Sequence, residues 1–431
     1  MRLSLLNFGS VLNSFNLIFD IYTMSGHHMV TRKKSGVRGK KTSKMEIDDT
    51  SSGSRKRKLD IEKYDWSFMG SDFTDTGPFT MKGFKKDGIL PKDFDILILA
   101  QLLTSTVWMI KFLVIHGIIP STAPKCKIHN CYGTLEKNKD LKDGYRWRCH
   151  VKGKNGKLCT KTWSIRGNKK SWLFNIKITI RDVIIGLYGF AGKCSVDQLR
   201  MMSLKWSSST YTDYNNMFRQ ICSLEYGKFS KKMKGPKVMM DESLFSKKFS
   251  GNKAMINHSS CHYLKKKWVF GIYSPEEKIL RMKFVEDRSE KSLLPLIVEW
   301  VEEGVEIWSD KWKAYHSIKD GIKFMEEVKD EDGNYNGKMV EKTYHYVHKM
   351  VNHSDPHHPY KSLDGVCTNA MEGVWGEVKR VLKMKNGIPE SFLQSHLDEY
   401  LFRFNFTSGK GNDVFLKLLS GISNNWPPKW D

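Results

Sequence analysis

The sequence predicts an α/β protein, with a mixed sheet flanked by helices after position 235, preceded by a cysteine-bearing module and a small helical region. Three observations carry this. After Gly235-Pro236, short runs of β-branched and aromatic residues are interrupted by one amphipathic helical pattern. Four of the eight cysteines, Cys126, Cys131, Cys149 and Cys159, fall within 34 residues. Residues 121–240 hold 25 Lys and Arg against 7 Asp and Glu, whereas 241–431 are balanced at 28 and 28. At 431 residues the chain is long enough for two or three units, and 13 Trp, 16 Tyr and 23 Phe exclude a wholly disordered protein.

In chain order, residues 1–62 read as a disordered basic arm. Met1 to Tyr22 is apolar, but Asn7, Ser10, Asn13 and Asp20 break it, which disfavours a signal peptide. Arg32-Lys33-Lys34 and Arg55-Lys56-Arg57-Lys58 have the form of nuclear-localisation signals, so the nucleus is the expected compartment. Residues 63–120 are a helical lead-in, with a helix or helix pair from Asp95 that Gly117 ends. Gln101, Lys111 and His116 interrupt that stretch, so it is expected to be buried rather than to span a membrane, and no membrane partner is expected.

The cysteine module fills 121–168 and a helical, DNA-binding region 169–234. There Val183, Ile184, Leu187 and Tyr188, then Val196 and Leu199, then Tyr211, Tyr214 and Phe218 recur at helical spacing, with Ser195 and Ser207 as N-caps. Helices on either side of Met202 to Trp206 fit a helix-turn-helix, with Arg200 and Lys205 as DNA contacts; a plain three-helix core fits as well. Strands are expected at Val238 to Asp241, Lys267 to Tyr273 and Ile279 to Val285. A helix capped by Ser289 and closed by Gly304 follows, then a strand from Val305 to Ser309 that stops at Asp310. This domain runs over 235–407, its charged insertion Lys323 to Lys342 is expected as a surface loop, and 408–431 as a C-terminal tail.

Two constellations carry chemistry. Cys126, Cys131, Cys149 and Cys159 offer four thiolates on two turns, enough for a tetrahedral structural Zn²⁺. Tight knuckles use two intervening residues, so His129 or His150 could replace one cysteine. The second is Asp241, Asp310 and Glu372. Two of these end strands and so meet at one edge of a sheet, and the third lies on a helix that also presents Asn369, Gly373 and Gly376. Such oxygen ligands suit Mg²⁺ or Mn²⁺ and phosphoryl transfer. Among 28 acidic residues after position 240, composition alone does not single these three out. Glu242 belongs to the opposite strand face from Asp241, which disfavours it as a ligand.

A resemblance does single them out. Met240-Asp-Glu-Ser243, Lys267-Trp-Val-Phe-Gly271, Val285-Glu-Asp-Arg-Ser289, Ile307-Trp-Ser-Asp-Lys-Trp-Lys-Ala-Tyr315, Val351-Asn-His-Ser354 and Thr368-Asn-Ala-Met-Glu372, with Trp375 and Val378-Lys-Arg380, occur in that order. Together they resemble the ISXO-like DDE transposase domain of the Merlin superfamily and its insertion-sequence relatives. Upstream, Asp143-Gly-Tyr-Arg-Trp-Arg-Cys149, Trp163-Ser-Ile-Arg166 and the four cysteines resemble the zinc ribbon that precedes it. The resemblance implies an RNase H-like fold with catalytic, metal-binding Asp241, Asp310 and Glu372. Asn369 is a reserve ligand because some relatives use Asn, and Lys379 and Arg380 are DNA contacts. His353 is a candidate contact to the scissile phosphate, or packs the sheet edge. The widened Cys149-x9-Cys159 spacing departs from the ribbon pattern.

The expected function is therefore a transposase that binds transposon terminal repeats and cuts and joins double-stranded DNA, as a homodimer or larger synaptic complex. The alternative is a domesticated, non-catalytic, zinc-containing DNA-binding protein.

Overall fold

The computed structural model describes residues 94–428 apart from 95, 121–122, 154–155, 203, 246–266, 330–334, 353–361, 363 and 386–387. The basic arm with both its Lys/Arg clusters, and His353, lie outside the described residues. The chain forms two compact units: one holds the described residues up to Gly189 with Cys194–Ser207, the other Phe190–Lys193 with Ser208–Asn425.

The first unit opens with the helices α1 (Ile96–Leu102) and α2 (Thr106–Ile115). Both are buried, as Ile98, Leu99, Ile110 and Leu113 show. Gly117 at φ 64° turns the chain out of α2, a conformation that a side chain would resist. A three-stranded antiparallel sheet follows: β1 (Thr134–Lys137), β2 (Tyr145–Arg148) and β3 (Thr162–Ser164). Asp143 ties it to α3 (Ile180–Ala191): one carboxylate oxygen pairs with Arg166 at 2.7 Å and the other accepts the Ile180 N–H at 2.9 Å. Ser195 caps α4 (Val196–Met201) in a reciprocal box with Gln198.

The region expected as one DNA-binding body over 169–234 is instead divided. Its last helix, α5, is a 20-residue helix, Ser208–Gly227, that belongs to the second unit. Its buried Phe218, Ile221 and Cys222 explain why: a side this apolar has to be covered by other helices, and the buried Arg219 beside them is paired with Glu399.

In the second unit β4 (Lys237–Leu244), β5 (Trp268–Ser274), β6 (Ile279–Val285), β7 (Glu306–Asp310) and β10 (Val347–Val351) form one sheet in the order β10-β7-β4-β5-β6. β10, β7 and β4 are parallel, while β5 runs antiparallel to both β4 and β6. Both faces are covered, so the strands read as nearly continuous apolar runs. One face packs on α6 (Glu290–Trp300) and the 3-10 helix Lys313–Asp320, through Val238, Met240, Phe270, Leu293, Ile297 and Tyr315. The other packs on α7 (Asn369–Lys383) and α8 (Glu390–Phe406), through Met239, Val269, Met371, Trp375 and Leu397.

Two expectations are corrected. The charged insertion is not a loop but an antiparallel hairpin, β8 (Ile322–Lys329) with β9 (Tyr335–Tyr344), rooted by buried Ile322 and Tyr344. The described part of the expected C-terminal tail, 408–428, is mostly helical. Gly411–Asn425 is a helix, α9, whose Val414, Phe415, Leu418, Leu419 and Ile422 are buried at helical spacing. Around α8, buried Glu399 accepts from Arg219 at 3.3 Å and Arg403 at 3.0 Å. Burial opposes its charge, but Arg403, Lys385 and Arg219 outweigh that and hold the carboxyl down at about 2.

Candidate active site and metal centre

β4 and β7 are neighbouring parallel strands, with Met239 beside Trp308. Asp241 and Asp310 each lie two residues further on, so the two-residue repeat of a strand puts them level and on the same face. That face is the one α7 covers. The buried stripe Met371, Trp375, Val378 and Leu382 faces the sheet, which leaves Asn369, Glu372, Gly373, Gly376, Lys379 and Arg380 exposed. Glu372 sits in the first turn, where the helix dipole favours a carboxylate.

Asp241 registers these neighbours electrically. Burial, then the Asp310 carboxylate and more weakly Glu372, push it up to about 6, against the Glu242 N–H and the Trp375 indole, which hold the charged form. Each of its oxygens is engaged: Oδ1 accepts the Glu242 N–H at 2.8 Å and Oδ2 the Trp375 indole N–H at 3.0 Å. Gly271, the cross-strand partner of Asp241, makes the second bond possible. A Cβ there would lie 2.5 Å from Met371 Cε and 2.9 Å from the Trp375 ring. Asp310 is oriented from its own loop, with Oδ1 accepting the Trp312 N–H at 3.1 Å.

Glu242, on the opposite strand face, is buried, and its Oε1 has no hydrogen-bond partner. Its other oxygen lies 3.8 Å from Arg288. Burial, Asp241 and Asp310 outweigh Arg288 and push the carboxyl up to about 8, so proximity to the arginine does not keep it charged at neutral pH. Trp268 and Trp312 are partly buried and sandwich Arg288, while Lys237 lies 4.6 Å over Trp308.

Residues 232–342 match the ISXO2-like transposase domain family. The match takes in Asp241, Arg288 and Asp310 and stops before Glu372; it supports a transposase role and with it a DNA-cutting enzyme. No curated protein and no solved structure matches the chain.

In the first unit, Cys126, His129, Cys149 and Cys159 bring their donor atoms within 4.8 Å of one another. Among the described residues this is the set that converges so closely; the three acids are electrostatic neighbours but do not close into such a group. The nine-residue spacing between Cys149 and Cys159 is absorbed by a small hairpin. Lys152 bridges Leu158, and Cys159 N–H bonds to Val151 O at 2.9 Å. The first knuckle turns through Asn130 at φ 53°, which aims His129 Nδ1 at the sulfurs of Cys126 (3.7 Å) and Cys149 (3.5 Å). Cys131, one of the four cysteines expected as ligands, stands 3.4 Å from the Cys149 sulfur but outside the converging set, and His150 is exposed.

Burial raises the Cys126 thiol, but the His129 and Ile128 N–H groups outweigh it and bring it down to about 6. Burial raises Cys149. At Cys159 the Lys161 N–H lowers the thiol, but burial and the neighbouring Cys149 and Cys126 raise it on balance. Clustered thiols that resist joint ionisation fit a soft cation, and this donor set can hold a metal such as zinc. Arg200, expected to touch DNA, pairs with Asp197 at 2.7 Å, while Lys205 is exposed. Lys379 lies 5.6 Å over Phe245 and Arg380 faces solvent.

Proposed function

We propose that the chain is a Merlin-type DDE transposase, acting on transposon terminal repeats by two-metal cleavage and strand transfer. One observation carries the reading: Asp241 and Asp310 lie level on adjacent parallel strands, within the segment that matches a transposase domain, and Glu372 adds charge from the covering helix. The strand order, with its single reversed strand β5, supports an RNase H-like fold.

Asp241, Asp310 and Glu372 would hold Mg²⁺ or Mn²⁺, with Asn369 one turn-edge away as the reserve. The fit rests on the donor set: Asp241 and Asp310 lie level on adjacent strands, and Asp241 is raised first by burial and then by the Asp310 and Glu372 carboxylates. Bound there, the ions supply activation of water or a 3′-hydroxyl and neutralise charge at phosphorus. The chain itself orients the acids, through the Trp375 and Trp312 N–H groups, and offers exposed Lys379 and Arg380 beside Glu372 to the DNA backbone. The zinc-ribbon reading of the first unit assigns Zn²⁺ to Cys126, His129, Cys149 and Cys159. Its basic surface would grip the terminal repeats, Lys205 with it. Two transposon ends call for a homodimer or larger synaptic complex, and the basic clusters before residue 60 for the nucleus.

Asp241→Asn, Asp310→Asn and Glu372→Gln, assayed on the element's own ends with Mg²⁺, are each expected to abolish cleavage while leaving duplex affinity within about twofold. Wild-type rates in all three would remove the site. A wild type that binds the ends without cutting them would establish the non-catalytic alternative.

A further inference from the structure

Three separated segments meet beside the sheet edge that carries Asp310: the start of β5, the loop between β6 and α6, and the loop after β7. Arg288, from the middle segment, places its guanidinium carbon 4.0 Å from the ring centroid of Trp268 and 3.9 Å from that of Trp312. The carbonyl of Arg288 accepts the Trp312 indole N–H at 3.1 Å, so the two residues hold each other twice. Trp312 is also the residue whose backbone N–H binds Asp310 Oδ1. Trp268 pairs across the sheet with Leu244, on the strand that carries Asp241, and Glu242 of that strand lies against the edge of the guanidinium.

A side chain with about 27% exposure sandwiched by two indoles does more than fill space. Arg is the cation that stacks best on aromatic faces, and partial desolvation strengthens the contact. Its geometric effect is specific. The stack fixes Trp312, and the Trp312 N–H fixes the direction of the Asp310 carboxylate; the other end of the stack is anchored to the strands on which Asp241 sits. A carboxylate hanging on a free loop after a strand end would lack that common reference.

We propose that Arg288 is a positioning residue, which through Trp312 sets the Asp310 carboxylate relative to Asp241 for divalent-cation binding. It acts through Trp312. The inference rests on the reading of Asp241 and Asp310 as cation ligands, but not on DNA cleavage.

The test is a Mn²⁺ titration of the full chain followed by electron paramagnetic resonance, with thermal melting and duplex binding measured alongside. Arg288→Met, which keeps an unbranched stem between the indoles without the charge, is expected to weaken Mn²⁺ binding by about ten- to a hundredfold, the range for groups that orient metal ligands. Duplex affinity should stay within about twofold, and Arg288→Lys should recover part of the loss. Should Arg288→Met fail to fold, Trp312→Phe replaces it: this keeps an aromatic face against Arg288 but removes the indole N–H to its carbonyl and part of the stacking area, with a smaller loss of the same kind expected. Folded variants with unchanged Mn²⁺ affinity would overturn the proposal, as would a wild type that binds no Mn²⁺. A wild type that binds Mn²⁺ in an Arg288-dependent way but never cuts DNA would uphold it and defeat the transposase reading instead.

Discussion

Asp241 is held by two donors and opposed by two carboxylates, and both halves of that balance can be measured. Trp375→Phe keeps a ring above Gly271 but deletes the N–H to Oδ2. A hydrogen bond to a charged acceptor is worth about 1.5–3 kcal/mol, so cleavage is expected to fall by about tenfold or more, and loss of the bond and of ring volume in this buried site lowers the melting temperature as well. Gly271→Ala should also cost stability, since its Cβ would sit 2.5 Å from Met371. The pH response has a definite sign. A carboxyl at about 6 binds its proton more tightly folded than unfolded, so this group weakens the metal-free protein as pH rises from about 4 through 6. Asp241→Asn removes that loss. The variant's stability advantage should be small at pH 4, reach on the order of 2 kcal/mol above pH 6, and shrink when Mg²⁺ is added, because the ion stabilises only the wild type. A difference flat across that range would show that burial and the neighbouring carboxylates do not raise Asp241. Asp241 and Asp310 could be placed at strand ends from the sequence, because a strand end is a local signal, but only the family resemblance singled them out among the 28 acidic residues after position 240. The Trp375 bond was not legible, because it joins a strand and a helix 134 positions apart through a gap left by a glycine on the neighbouring strand.

The cysteine module shows the same limit one scale up. Four clustered thiols announce a metal, but which donors converge depends on how each turn is wound. The turn at Asn130 selects His129, and the hairpin from 151 to 159 closes a spacing that looked too wide. Cys126→Ser and His129→Ala are therefore expected to lower bound zinc, measured by elemental analysis of natively purified protein, whereas Cys131→Ser should retain close to one equivalent. Loss of zinc in Cys131→Ser with retention in His129→Ala would restore the four-cysteine set. In other elements the signal was present but outweighed. The apolar repeat Val414, Leu418, Ile422 marks α9, yet its position near the chain end suggested a tail. In β8 and β9 the charges at Lys323, Glu326, Glu327, Glu341 and Lys342 hid a strand pattern, because the hairpin has exposed positions on both faces and only its base is buried.

At the scale of the whole molecule, charge and acid chemistry are parted along the chain: residues 121–240 carry the excess of cations, and every candidate cation ligand of the active site lies beyond them. A polyanion bound by that excess releases counterions, so the logarithm of affinity should fall steeply with the logarithm of salt, by about 0.9 for each phosphate neutralised. Lys152, Lys161, Lys169 and Lys170 are all exposed in the first unit. Replacing the four with Ala in the full chain is expected to reduce the slope by up to about 3.6 and to weaken binding to all duplexes alike, since phosphate contacts carry no base information. The control lies on the hairpin. Lys323 and Lys342 are already paired, with Glu341 at 3.3 Å and Glu303 at 3.8 Å, and their replacement should leave the slope unchanged. If the hairpin pair lowers the slope as much as the first-unit set, the DNA path does not follow the charge excess, and the division of labour read from the sequence fails.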